Sequence, residues 1–231
     1  MGIEVQIRTK GLVVAGFAAV VTGAVAMLGL HVTAGLDPMH GLISEYAFAP
    51  AGWLLGVSLT CFAAGAALFA MAMVRAAGSR RVALLVAAWG ACMMLVGAFP
   101  TDRPGVPLSM SGGIHRYAAL VAFVAMPLAG LILARLVTRD RWATAMRVLC
   151  GVALVCLVAV VVPYALRFVG IPVSNDDIPA GLTQRLVVVT ELGVLVLLGR
   201  SLLLRCRDKA AAVRRGAMGE RAADKAPALA A

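Results

Sequence analysis

Six long apolar runs alternate with short polar segments along the chain. Each run is close to or longer than the ~18 residues that mark a membrane-spanning helix, and none shows the alternating polarity of a membrane strand. The pattern therefore predicts an all-α fold, a six-transmembrane-helix bundle formed by residues 1–203. The predicted spans are residues 11–31, 50–74, 81–100, 114–136, 143–166 and 182–203.

The two ends of the chain need separate interpretations. The first apolar run follows Arg8 and Lys10, as the apolar part of a signal peptide would. It is about 20 residues long, however, against about 7–15 in signal peptides, so we expect it to be the first helix of the bundle. Residues 204–231 are basic and Ala-rich, and we expect them to form a disordered cytoplasmic tail.

Composition excludes a separate soluble domain and argues against nucleic acid as a partner. Only 14% of the residues are charged, whereas a soluble domain carries about 25%. The net charge of +10 comes from Lys and Arg residues that flank the apolar runs or lie in the tail. Between the spans, the first, third and fifth connections hold only Arg103 and Arg167, so the positive-inside bias places both termini in the cytoplasm.

With this topology, the uncommon ionisable residues fall on the outer side of the membrane. The second, fourth and sixth helices begin there, and their N-termini present free N–H groups and partial positive charge. Arg116 and Arg185 add to that field, and Asp102 is a natural partner for one of them. The outer histidines and acids are His31, His40, His115, Asp37, Glu45, Asp102, Asp176 and Asp177.

Glu191 lies inside the sixth predicted span, about nine positions from its start and therefore roughly 14 Å deep. A carboxyl group at that depth is costly and is expected to face the bundle interior or a water-filled cavity. Gln184 lies on nearly the same helix face. Two interpretations stay open: a protonated Glu191 bonded to another helix, or a proton- or ligand-binding group at the base of an outward cavity.

Four short motifs occur in order at the outer ends of the predicted helices. They are Ser44-Glu45-Tyr46, Phe99-Pro100-Thr101-Asp102, Gly113-Ile114-His115 and Gly181-Leu182-Thr183-Gln184-Arg185. With them the chain resembles the bacterial and archaeal membrane family called domain of unknown function 998. The resemblance implies a six-helix membrane fold and no established activity, substrate or cofactor. We expect a multi-pass protein of the bacterial inner or plasma membrane.

The first functional hypothesis is a binding or transport module. An outward pocket between the second, third, fourth and sixth helices would hold a small polar molecule or a lipid head group, because polar residues within a membrane usually mark such a path. The candidate ligand-binding residues are Ser44, Glu45, Tyr46, Asp102, His115, Arg116, Gln184, Arg185 and Glu191.

The second hypothesis is an intramembrane hydrolase at the outer leaflet. His115 would act as the general base, oriented by Asp102 or Glu45, with Ser44 or a water molecule as nucleophile. A zinc ion held by His40, His115 and a carboxylate is the variant of this hypothesis. The chain has neither a GxSxG nor an HExxH motif, and we expect no metal and no cofactor.

The third hypothesis is a structural or regulatory membrane protein. Buried polar groups in a bilayer must be satisfied, so the same motifs would tie the outer loops to the bundle. Ser44-Glu45-Tyr46 would then cap the second helix, and Asp102 would pair with Arg116 or Arg185.

Overall fold

A computed structural model describes residues 2–103, 105–136, 141–171 and 178–225. Among these residues, six helices are long and apolar enough to cross a membrane, which confirms the predicted fold class. A short 3-10 segment, Ile43–Phe48, lies between the first two helices. The helices are α1 Gly2–Thr33, α2 Trp53–Arg75, α3 Arg80–Ala98, α4 Met110–Leu136, α5 Arg141–Phe168 and α6 Ala180–Lys225.

Helices that follow one another in the chain pack as neighbours, and α6 closes the bundle against α1, α2 and α4 as well as α5. The α1–α2 contact is close because its facing residues are small. A side chain at Gly65 of α2 would lie 2.6 Å from Val20 Cγ2 and 3.1 Å from the Gly16 backbone oxygen. Small residues at such crossings let membrane helices approach at backbone distance.

The turn between α2 and α3 shows how the sequence sets a helix end. Ala77 adopts a left-handed conformation with φ 55°, and Gly78 N–H donates to Met73 O at 2.9 Å. This is the Schellman motif that ends many helices, and Ala77 occupies the left-handed position where glycine is usual. Ser79 follows directly and caps α3, because its side chain accepts from Val82 N–H.

The bundle has two ends, which we name by their connections. The loop end holds the described residues between α1 and α2, α3 and α4, and α5 and α6, which are 34–52, 99–103, 105–109, 169–171 and 178–179. The terminal end holds the first turns of α1 and the α2–α3 turn. There Gln6 Nε2 donates to Cys206 O, and Lys209 Nζ donates to Ala76 O at 3.3 Å.

Two helices extend beyond the predicted spans. The first begins at Gly2 rather than near residue 11, and α6 continues to Lys225 through much of the segment predicted to be disordered. The segment after residue 203 is rich in Ala and Arg, which favour helix even where no apolar face is buried. The predicted outer acids Asp176 and Asp177 lie outside the described residues.

Candidate functional site

Arg185, in the second turn of α6, holds the α1–α2 connection against the loop end of the bundle. Its Nη1 donates to the backbone oxygens of Pro38 at 3.0 Å and Gly41 at 2.7 Å. Its Nη2 donates to the Tyr46 hydroxyl at 3.0 Å, and its Nε donates to His31 Nε2 at 3.1 Å. These bonds join α1, the connection and α6, and we call the residues that make them the Arg185 clamp.

His31 contributes to this clamp through a defined tautomer. Its Nδ1 lies 2.8 Å from Met27 O one turn earlier, so this nitrogen carries the hydrogen and donates it. The other ring nitrogen then has a free lone pair, which accepts from Arg185. The His31 ring also packs against Tyr46, with 5.0 Å between the ring centroids.

Further contacts fix the 3-10 segment beside the start of α6. Gln184 Oε1 accepts from Ile43 N–H at 2.7 Å, and Leu182 N–H donates to Met39 O at 3.0 Å. Gly181 permits this approach, because a Cβ there would lie 2.5 Å from the Gly41 oxygen. The first turn of α6 therefore uses both side chains and backbone to bind the α1–α2 connection.

The hypothesis that Ser44-Glu45-Tyr46 caps the second helix is wrong. These residues belong to the 3-10 segment, and α2 begins after Gly52 with no side-chain cap. Ser44 and Tyr46 are buried instead, because the 3-10 turn directs both into the bundle. Glu45 between them is half-buried and has its own contacts in the connection.

Asp102 organises the start of α4. Its Oδ2 accepts from Ser109 N–H at 3.0 Å, and Ser109 Oγ accepts from Gly112 N–H at 3.0 Å. The carboxylate lies so close to the helix that a Cβ at Gly112 would be 1.8 Å from Oδ2. Hydrogen bonds from Ser109 lower the pKa of the Asp102 carboxyl below its usual 3.8, and the charge of Arg116 acts in the same direction.

The expected pairing of Asp102 with Arg185 does not form. Arg185 directs its guanidinium at the α1–α2 connection, while Asp102 accepts from the first turn of α4. Arg116 is exposed, and its charge acts on Asp102. The polar residues of the loop end thus form separate groups instead of one ring.

His115 lies in the second turn of α4 and is 7% exposed. Its Nδ1 donates to two carbonyl oxygens at the end of α3, Phe99 O at 2.9 Å and Val96 O at 3.1 Å. This fixes the hydrogen on Nδ1 in the neutral ring, so Nε2 is the acceptor atom. Within the described part of the chain, no hydrogen-bond partner reaches Nε2.

Glu191 is buried in the middle of the bundle, with 1% of its surface exposed. Its Oε2 accepts from Trp89 Nε1 of α3 at 2.9 Å. Its Oε1 is also buried, and none of the described residues offers it a hydrogen bond. As a carboxylate this oxygen needs a donor and as an acid it needs an acceptor, so the deficit exists in either protonation state.

A cavity of about 50 Å³ brings several of these groups together. A water molecule needs roughly 10–15 Å³ measured in this way, so the cavity has room for a few waters or one small molecule. Its polar lining is Ser44, Trp89, His115, Gln184 and Glu191. Its apolar lining is Met27, Ile43, Leu55, Leu59, Phe62, Met93, Val96, Ala119, Phe123 and Val188. We call it the Glu191 cavity.

The predicted site residues therefore divide among distinct places. Ser44, His115, Gln184 and Glu191 line the Glu191 cavity, and Tyr46 and Arg185 form the clamp beside it. Asp102, Glu45 and Arg116 lie in the connections or on the surface of the loop end. Sequence reasoning missed Trp89, the partner of Glu191, and the role of His31 in the clamp.

The geometry offers little support for the hydrolase hypothesis. An orienting carboxylate would have to reach His115 Nδ1, but that atom donates to backbone oxygens and Asp102 accepts from Ser109. For the zinc variant, no group of three or more His, Cys, Asp or Glu residues in the described ranges is arranged to hold a metal. His40 Nδ1 is paired with Asp37 at 2.6 Å on the surface of the loop end.

The helices and the Glu191 cavity define a multi-pass membrane protein with polar groups enclosed inside a six-helix bundle. Residues 13–201 match the family described as "Protein of unknown function (DUF998)", and the chain belongs to that family. The resemblance expected from the four motifs is thereby confirmed. No curated protein and no solved structure matches the chain.

Proposed function

We propose that this protein binds a small polar molecule in the Glu191 cavity and acts as a binding or transport module of the membrane. The observation that carries the proposal is the buried Oε1 of Glu191, which has no partner among the described residues. A polar group left in this way costs about 1–3 kcal/mol, and more when it is charged. An occupant of the cavity would supply the missing hydrogen bond.

The polar lining favours a small occupant that both donates and accepts hydrogen bonds. His115 Nε2 is an acceptor, because α3 uses the other ring nitrogen. Glu191 Oε1 accepts as a carboxylate and donates as an acid, since Trp89 bonds to the other carboxyl oxygen. The Gln184 oxygen accepts from Ile43, which leaves its amide nitrogen as a donor. A small amine or hydroxyl compound matches this set, whereas a lipid head group exceeds a volume of about 50 Å³.

The location of the cavity in the bundle is relevant to the side of the membrane that it faces. His115 and Gln184 lie near the loop end, and the basic residues concentrate at the terminal end. The positive-inside bias then places both termini in the cytoplasm and the cavity toward the outer side. We propose a bacterial plasma membrane location with this orientation.

Native mass spectrometry of gently purified protein tests the proposal. Glu191→Gln keeps an acceptor for Trp89 but removes the carboxyl group, so we expect retention of the co-purifying small molecule to fall at least ~10-fold. The matched control is Thr190→Val: Thr190 is buried on the same helix, but its hydroxyl donates to Leu186 O and Val187 O and does not line the cavity. Equal retention by Glu191→Gln and wild type, or no bound species in wild type, contradicts the proposal.

A structural role is the second candidate, and the Arg185 clamp favours it. The hydrogen bonds that define this clamp run within the chain, to Pro38, Gly41, Tyr46 and His31, so it needs no ligand to explain it. The clamp explains the positions of Tyr46 and Arg185 without a ligand. Asp102 and Ser109 at the start of α4, which we call the α4 cap, explain the position of Asp102 in the same way. It does not account for Glu191.

A further inference from the structure

A second cavity, of about 60 Å³, opens between α4, α5 and α6 at the terminal end of the bundle. Its wall is mostly apolar and contains one guanidinium group, one hydroxyl group and one indole ring. The apolar residues are Leu133, Ala134, Ala143, Met146, Leu197 and Leu204, and the others are Trp142, Arg200 and Ser201. We call it the Arg200 cavity.

Arg200 is held over Trp142, and none of the described residues offers it a hydrogen-bond acceptor. Its guanidinium carbon lies 3.3 Å from the centroid of the Trp142 ring, and Arg141 approaches the same ring at 5.3 Å. In the ranges that the structure describes, Arg200 makes neither a hydrogen bond nor an ion pair. Stacking on an aromatic face leaves the N–H donors in the guanidinium plane available, so this half-buried cation presents them to the cavity.

The depth of the cavity matches the edge of a bilayer. Arg200 follows Ala180, the first residue of α6, by about 20 residues, which is roughly 30 Å along the helix and equals the thickness of the hydrocarbon core. Trp142 is the second residue of α5. Trp and Arg at this level face the head groups, while the apolar wall beside them faces the acyl chains.

The charge around the cavity favours an anion. Arg147 on α5 donates from Nη2 to Ala134 O at 3.1 Å, at the wall of the cavity. Arg135 and Arg141 lie at the neighbouring ends of α4 and α5, and Arg205, Arg207 and Lys209 lie on α6 beyond the cavity. The described acids at this end of the bundle include Asp208 and Glu4, and Glu4 is paired with Arg8. Basic pockets between membrane helices on the cytoplasmic side are a known form of anionic head-group site.

We propose that the Arg200 cavity binds the head group of an anionic phospholipid. Its phosphate would accept from the Arg200 guanidinium in two parallel bonds, and one acyl chain would lie along Leu133, Leu197 and Leu204. A zwitterionic lipid would bring an ammonium group into the same basic surroundings, which disfavours it. The site is independent of the Glu191 cavity, since no residue lines both.

Native mass spectrometry with competing lipids tests this site. Purified protein is given equal amounts of phosphatidylglycerol and phosphatidylcholine with identical acyl chains. We expect wild type to retain one phosphatidylglycerol with a preference of about fivefold or more, and Arg200→Gln to bind both lipids equally, because charge-assisted bidentate bonds to phosphate are lost. Arg75→Gln is the control: Arg75 is exposed at the same end, on a helix that does not line the cavity.

A second variant covers the case in which Arg200→Gln fails to fold. Arg200→Lys keeps the charge but loses the planar fork and the stacking on Trp142, so we expect it to lose about half or more of the preference. Equal retention of both lipids by wild type overturns the proposal. So does an equal loss of preference in Arg75→Gln and in the Arg200 variants, because the effect would then be due to general charge.

Discussion

The Arg185 clamp and the Glu191 cavity lie side by side near the loop end of the bundle, and they treat buried polar groups in opposite ways. In the clamp, each nitrogen of the Arg185 guanidinium finds an acceptor within the chain. In the cavity, one oxygen of Glu191 has no acceptor or donor among the described residues. Both arrangements place ionisable residues inside the bundle, but only the second leaves a buried polar atom without a partner among the described residues.

The difference teaches how to separate structural from functional polar residues in a membrane bundle. A satisfied network stabilises the fold, and removing one member leaves the others unpaired. An unsatisfied group weakens the fold, so replacing it and its partner by apolar residues is neutral or stabilising. The two regions should therefore respond to substitution with opposite signs.

The largest effect is expected for Arg185→Ala. The change removes the contacts of the clamp and leaves the carbonyl oxygens of Pro38 and Gly41 without their donor. A hydrogen bond to a charged group contributes about 1.5–3 kcal/mol, so we expect the loss of several such bonds to lower stability by about 3–5 kcal/mol. Thermal unfolding in detergent measures it. Arg103→Ala is the control, since Arg103 is exposed and only lies 4.8 Å over the Phe48 ring; a cost of about 1 kcal/mol or less is expected there. Equal losses in both variants would refute the structural role of the clamp.

In the Glu191 cavity, we expect no loss of stability when both members of the Trp89–Glu191 hydrogen bond are replaced. In the double variant Trp89→Phe with Glu191→Met, no buried polar atom of the pair stays behind. We expect thermal stability to be unchanged or to rise by about 1–3 kcal/mol, while retention of the small molecule is lost. A loss of stability as large as that of Arg185→Ala would show that Glu191 is part of the structural network.

A matched pair of glycines probes the α4 cap, which Asp102 and Ser109 form at the start of that helix. Gly112→Ala places a methyl group 1.8 Å from Asp102 Oδ2 and must displace the carboxylate, so we expect a loss of about 1–3 kcal/mol. Gly113→Ala meets nothing within 4 Å and should stabilise the helix by up to about 1 kcal/mol. Thermal unfolding of the two variants would disprove the geometry of the cap if their effects had the same sign.

The smallest effect is a pH dependence of the same cap. The pKa of Asp102 is lowered from 3.8 by hydrogen bonds from Ser109, so its contribution to stability is present above pH 4 and is lost as the pH falls through the lowered value. The difference in melting temperature between wild type and Asp102→Asn should therefore shrink as the pH is lowered below 4. A difference that stays constant over this range would argue against an ionised cap.

The helices could be predicted well from the sequence because a long apolar run in a bilayer forms a membrane-spanning helix. The extension of α6 to Lys225 could not be predicted in this way. Beyond the last apolar residue, helix propensity sets the boundary, and an apolar window does not measure it. The second span was predicted from its apolar residues to begin at residue 50. In the structure α2 begins at Trp53, because the 3-10 segment and the turn after it come first.

Individual residues of the site could be predicted from the sequence, but their contacts with one another could not. Burial of Glu191 follows from its position in an apolar run, and it was expected. Its partner Trp89 lies 102 positions away, and nothing in the sequence sets how α3 and α6 are rotated against each other. For the same reason Arg185 was expected near Asp102, whereas packing of α6 against the α1–α2 connection directs it to Pro38 and Gly41.

The most direct test of the unsatisfied carboxyl group is an experimental density map of the wild-type protein in a lipid nanodisc, at a resolution that shows ordered water. The account predicts non-protein density larger than one water within hydrogen-bond distance of Glu191 Oε1 and His115 Nε2. A collapsed cavity, or a Glu191 Oε1 that is paired with an atom of the protein itself, would contradict it.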